Sequence, residues 1–88
     1  MSQLSKLPNV GKTLEKRLLE IGVNDAEGLK EIGSKEAFVR LYLHEGDTCF
    51  STFCALEGAI QGIRWHNISD DKRQELKKFF ESIKRDKV

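Results

Sequence analysis

The stretch Leu7-Pro8-Asn9-Val10-Gly11-Lys12, followed at once by a helix-forming run that closes on Gly22, constrains this chain more than any other feature. An apolar residue, a proline, two turn residues and a glycine leading into a helix describe a tight corner with backbone N–H groups facing outward. Such a corner can receive an anion, because the helix start behind it carries partial positive charge.

Almost every later boundary reads as a helix boundary. Leu14, Leu18 and Ile21 recur at i, i+4 and i+7, with Glu15, Lys16, Arg17 and Glu20 outside, and Gly22 supplies a left-handed stop. Asn24, with Glu27 three residues on, reads as a capping box opening a second helix that buries Ala26, Leu29 and Ile32 and ends at Gly33. Ser34 is the expected cap of a third helix through Leu43, with Ala37, Phe38, Leu41 and Tyr42 inward. Asp47 is the expected cap of the next, about residues 48–62. There Phe50, Phe53, Cys54, Leu56, Ala59 and Ile60 are apolar nearly all round, which marks a central helix. Gly58 costs such a helix about 0.8–1 kcal/mol relative to alanine; with Ala55, Ala59 and Gly62 it forms a flat strip on which another backbone can close. Arg64-Trp65-His66-Asn67 is a connector. Ser69 caps a last helix with Asp70 and Asp71 in its first turn and Leu76, Phe79, Phe80 and Ile83 inward. No run alternates long enough for a strand, and the expected fold is all-α, a compact five-helix bundle.

Eighty-eight residues suit one domain over 1–88, with ends (1–6 and 85–88) that fray. With 39% apolar and 33% charged residues the chain is neither disordered nor membrane-spanning. Ser2–Lys6 lacks the apolar core of a signal peptide, so a cytoplasmic location without membrane partners is expected. Cys49 and Cys54 lie five apart on an expected helix, about 140° around it, a poor disulfide geometry; both read as small core residues. Two cysteines and two scattered histidines make no metal site. No nucleophile–base spacing, phosphate loop or paired carboxylates stand out, so neither catalytic residues nor a cofactor is expected, and the chain does not read as an enzyme. Net charge is +1; the positive excess lies in residues 67–88, a solvated helix face.

Leu7–Lys12 with Leu14, Leu18 and Ile21-Gly22-Val23 looks like a helix-hairpin-helix element. Joined to Ala55-Leu56-Glu57-Gly58-Ala59-Ile60-Gln61-Gly62-Ile63-Arg64-Trp65-His66, it resembles the C-terminal domain of the TfoX/Sxy competence-regulator family, from about Leu4 to Phe80. The resemblance implies a SAM-like bundle and a role in regulating DNA uptake and transformation. In two-domain members another domain comes first, so this chain reads as a free-standing copy. Its implied partners are a separate TfoX N-terminal-type domain or a transcription factor. The family pattern supplies no catalytic residues.

In a helix-hairpin-helix element the turn meets one DNA backbone. Here Asn9, Val10, Gly11 and Lys12 would offer amides, Lys12 and Thr13 a charge and a hydroxyl, and Lys16 a neighbouring charge. Asn9 stands where such turns often carry Gly, and Asn tolerates the left-handed region. Contact with double-stranded DNA of this kind is weak, non-specific and salt-dependent, and Glu15 and Glu20 offset the local charge. The same residues also suit a plain corner between packed helices. Arg64, Trp65 and His66 form the second candidate. As an exposed set they suit a protein interface; the expectation is instead a buried Trp65 closing the core, its indole N–H on a carbonyl. DNA-associated binding and protein–protein or self-association both stay open.

Overall fold

The computed structural model describes residues 4–45 and 49–87, the side chains of Ser5 and residues 84–87 left aside. Four α-helices run through them: α1 (Lys12–Glu20), α2 (Ala26–Glu45), α3 (Phe50–Gln61) and α4 (Asp70–Lys87), with single 3-10 turns at Leu4–Lys6 and Trp65–Asn67. The described residues contain no strand, in line with an all-α chain, but the five-helix count is corrected to four. Gly33 takes the positive φ (85°) expected of a stop, yet the chain re-enters helix at Ser34 without a loop, so two expected helices form one kinked span. Ser34 turns its hydroxyl inward and donates to Glu57 Oε1 at 2.5 Å. Gln61 Nε2 donates to the other carboxylate oxygen at 2.5 Å. Glu57, only 8% exposed, thus has a donor on each oxygen and ties the kink to α3.

Helix ends follow local chemistry. At the end of α1 the Val23 amide donates to Leu18 O (2.9 Å) and the Gly22 amide to Leu19 O (3.1 Å), the paired bonds of a Schellman turn. That turn drives Val23 into the core and moves the cap of α2 one residue on from Asn24: Asp25 Oδ1 accepts the Gly28 amide at 2.7 Å. The same paired bonds close α3, from Ile63 to Gly58 and from Gly62 to Ala59. α4 opens as expected, with Ser69 Oγ accepting the Lys72 amide at 3.2 Å and Asp70 and Asp71 in the first turn. The expected Asp47 cap lies outside the described residues.

α3 is central, packing against α2, α4 and the Trp65–Asn67 turn. The rings of Phe38 (α2) and Phe53 (α3) stack at 4.4 Å; Phe80 of α4 lies 5.6 Å from Phe38, and Phe79 lies 5.7 Å from Phe53. Four residues outside the helical stripes, Leu4, Val10, Val23 and Ile68, complete the core. The radius of gyration is 12.2 Å, close to the roughly 12 Å of a compact chain this long. Cys54 is buried as expected. Cys49 is not: α3 starts at Phe50, which leaves Cys49 exposed at the N-cap.

Candidate functional site

The corner after Leu7 and the connector after Gly62 meet on one helix. Asn9 adopts a left-handed backbone (φ 69°) and its side chain reaches over α3. Its Nδ2 donates to Ile63 O at 3.0 Å and, at 3.5 Å, to Ala55 O, while its Oδ1 accepts the Trp65 amide at 3.0 Å. Gly58 makes the approach possible: a Cβ there would stand 2.6 Å from Asn9 Nδ2, 2.8 Å from Ile63 O and 3.2 Å from Trp65 Cα. The flat strip on α3 therefore receives a second backbone, that of its own following connector.

This arrangement overturns the buried tryptophan. With its Cα against α3 and its amide on Asn9, Trp65 is 44% exposed, its ring edge-on to His66 at 5.7 Å. Ile68 fills the core instead, and Arg64 and His66 are exposed beside Trp65.

The corner itself also differs from expectation. Val10 is buried, and its amide donates to Leu7 O at 3.3 Å, so it offers nothing outward. The outward face is the start of α1. Gly11 is the N-cap and no side chain caps this end, which leaves the first amides of the helix without intrahelical acceptors. Lys12, Thr13 and Lys16 are exposed there, the two lysines one turn apart on the same side of the helix. Arg17 is engaged elsewhere: Nε and Nη2 grip Glu45 at 2.8 and 2.6 Å, joining α1 to the end of α2. Bonding to Arg17 holds the Glu45 carboxyl below the ordinary carboxylate range. Glu20 faces His44 at 3.6 Å. Of the acids on α1, Glu20 is thus turned toward α2.

Beside the start of α1 lies an open depression of about 360 Å³, lined by Lys12, Thr13 and Arg17 on one side and Ser51 and Thr52 on the other. The two hydroxyl residues of α3 were not anticipated. Their polarity at a helix start was legible in the sequence, but not which other helix they would face.

Cys49 Sγ lies 3.1 Å from Ser51 Oγ and 3.2 Å from Thr52 Oγ1. Hydrogen bonds from Ser51 and then Thr52 favour its thiolate and lower its pKa from 9.0 to about 7; burial pushes the Cys54 thiol up. Iodoacetamide labelling followed by mass spectrometry is expected to modify Cys49 with a midpoint near pH 7 and to reach Cys54 only on unfolding. Because the folded value lies below the unfolded one, ionisation favours the folded chain fully above pH 9, and the gain is lost as pH falls through about 7. Equal labelling of both thiols, with a midpoint near 9, contradicts this.

Among the described residues no helix is long and apolar enough to cross a membrane, and no three His, Cys, Asp or Glu residues are grouped to hold a metal ion. The family model of the TfoX C-terminal domain matches residues 1–80. The chain belongs to the TfoX C-terminal domain family. Protein Sxy of Escherichia coli K12 is 33% identical over 81 residues, covering 92% of this chain and 39% of Sxy. DNA transformation protein TfoX1 of Aliivibrio fischeri is 29% identical over 75 residues, covering 84% of this chain and 36% of TfoX1. This TfoX C-terminal domain thus spans less than two fifths of either curated relative's length. Two solved structures from Listeria monocytogenes are similar. The triclinic form of an uncharacterized protein is 49% identical with a TM-score of 0.90, covering 92% of each chain. The tetragonal form of a protein of unknown function is 50% identical with a TM-score of 0.86, covering 89% of this chain and 96% of that one. Leu7–Lys12 and Ala55–His66, the stretches that carry the family resemblance, are joined in space through Asn9 and Gly58.

Proposed function

We propose that this TfoX C-terminal domain is a non-catalytic, cytoplasmic binding module that serves the regulation of DNA transformation and touches double-stranded DNA along its backbone. The corner acts as the turn of a helix-hairpin-helix element in a SAM-like bundle, with the 3-10 turn Leu4–Lys6 in its leading arm. One observation carries this reading: α1 opens on Gly11 without a side-chain cap, beside exposed Lys12, Thr13 and Lys16. Amides and lysines there meet phosphate oxygens and position a duplex without reading its bases. The name of one relative, DNA transformation protein TfoX1, fits such a role.

A fluorescence-anisotropy titration with a generic duplex tests it. Binding is expected at a Kd of about 10⁻⁴–10⁻⁶ M and to weaken as salt rises. Lys12→Glu should weaken binding further and lower the slope against log salt by about 1. No binding at low salt, or an unchanged titration with Lys12→Glu, overturns the DNA reading.

The exposure of Trp65 favours a second reading, a protein interface at Arg64, Trp65 and His66. Its partner would be a separate TfoX N-terminal-type domain, a transcription factor or a second copy of the chain. Sedimentation across concentration measures the last of these.

A further inference from the structure

α4 carries a feature that the DNA reading does not use. Between Phe50, the first residue of α3, and the face of α4 formed by Arg73, Lys77, Phe80 and Glu81 lies a cleft of about 360 Å³. Its apolar wall is the Phe50–Phe80 pair, edge-to-face at 5.4 Å. Arg73, Lys77 and Glu81 recur every fourth residue, so they share one side of the helix over about 12 Å of its length. Arg73 and Glu81 therefore stand at the two ends of this row, with Lys77 midway between them.

These charges are unmatched among the described residues. Lys77 and Glu81 form no ion pair among the described residues. Arg73 forms no ion pair among the described residues: Nη2 makes long contacts, 3.5 and 3.3 Å, to the carbonyls of Trp65 and His66. Its Nε is buried with no acceptor among the described residues. The Nη2 contacts are at the long end of hydrogen bonding, and a carboxylate engages the terminal nitrogens of an arginine through two parallel bonds.

We propose that this cleft docks a short segment of a partner protein that presents an apolar side chain directly after an acidic one. The apolar side chain packs against the Phe50–Phe80 pair. The carboxylate takes the terminal Nη nitrogens of Arg73, displacing the long carbonyl contacts, with Lys77 alongside. The segment then runs toward Glu81, where a basic residue is complementary. Charge complementarity along two turns of helix selects an extended chain segment as the occupant and orders its charges, acidic at Arg73 and basic at Glu81.

The test is an NMR amide titration of the whole 88-residue chain with the capped tripeptide acetyl-Asp-Phe-Lys-amide. Its isosteric control carries Asn in place of Asp. Shifts are expected to cluster at Phe50, Arg73, Lys77 and Phe80, with the Asn peptide about tenfold weaker. Lys77→Glu, a change at an exposed residue that leaves the core intact, should weaken the Asp peptide by a similar factor. Lys12→Glu should leave it unchanged, which separates this cleft from the proposed DNA contact. Equal affinity for the two peptides, shifts centred elsewhere, or no shifts at millimolar peptide overturns the proposal.

Discussion

Gly58→Ala is expected to lower the stability of this domain by about 2–3 kcal/mol, the reverse of what the same change does in an ordinary helix. Alanine is favoured over glycine by about 0.8–1 kcal/mol in a helix interior. Here the added Cβ would lie 2.6 Å from Asn9 Nδ2 and 2.8 Å from Ile63 O. The second contact is with backbone, which no rotamer change relieves, and overpacking of this kind costs about 1–3 kcal/mol or more. The Asn9 bonds to Ile63 and Trp65 are strained with it, each worth about 0.5–1.5 kcal/mol. Thermal unfolding followed by circular dichroism should show a Tm lower by roughly 10–20 °C, from about 4–8 °C per kcal/mol in a domain of this size. In an Asn9→Ala background the penalty should shrink, because the nearer clash is gone, without vanishing. An unchanged or raised Tm for Gly58→Ala would mean that the connector can lift off α3 freely.

Gly58 also shows how far the sequence could be read. A glycine inside an apolar helix announces a close approach, and that much was legible. The approaching groups were not, because Asn9 and Gly58 are far apart in the chain and neither carries a pattern naming the other. The helical stripes through Leu14 and Leu18, Phe38 and Leu41, and Phe53 and Leu56 were legible because 3.6-residue periodicity is a local signal. The Ser69 cap was legible for the same reason. At Gly33 the stop was correctly read from residue type, but whether a loop follows depends on what Ser34 meets, and it meets Glu57 across the core. Trp65 misled because size and apolar character favour burial, whereas its backbone is pinned with the side chain outward. At the candidate site, Gly11, Lys12 and Thr13 stand exposed at the start of α1. Val10 does not, since its apolar side chain takes the corner's amide inward with it.

The largest loss is expected from Phe38→Ala. Phe38 is fully buried on α2, stacked on Phe53 at 4.4 Å and 16°, with Phe80 at 5.6 Å and Tyr42 at 6.2 Å. It is therefore the ring at which α2, α3 and α4 meet. Truncating a buried phenylalanine costs about 3–5 kcal/mol, counting lost burial and the cavity left behind. A chain of this length holds roughly 4–13 kcal/mol in all, so urea unfolding should show a large fall in midpoint, or a chain already partly unfolded in buffer. Phe38→Leu should recover part of the loss by refilling most of the cavity. Because Phe80 also walls the cleft on α4, Phe38→Ala should move the amide signals of Phe50 and Phe80 while leaving those of Lys12 and Thr13 in place. A cost below about 1 kcal/mol is far under that of a buried phenylalanine and would place the joint between α2 and α4 elsewhere, on the Lys35–Glu75 ion pair.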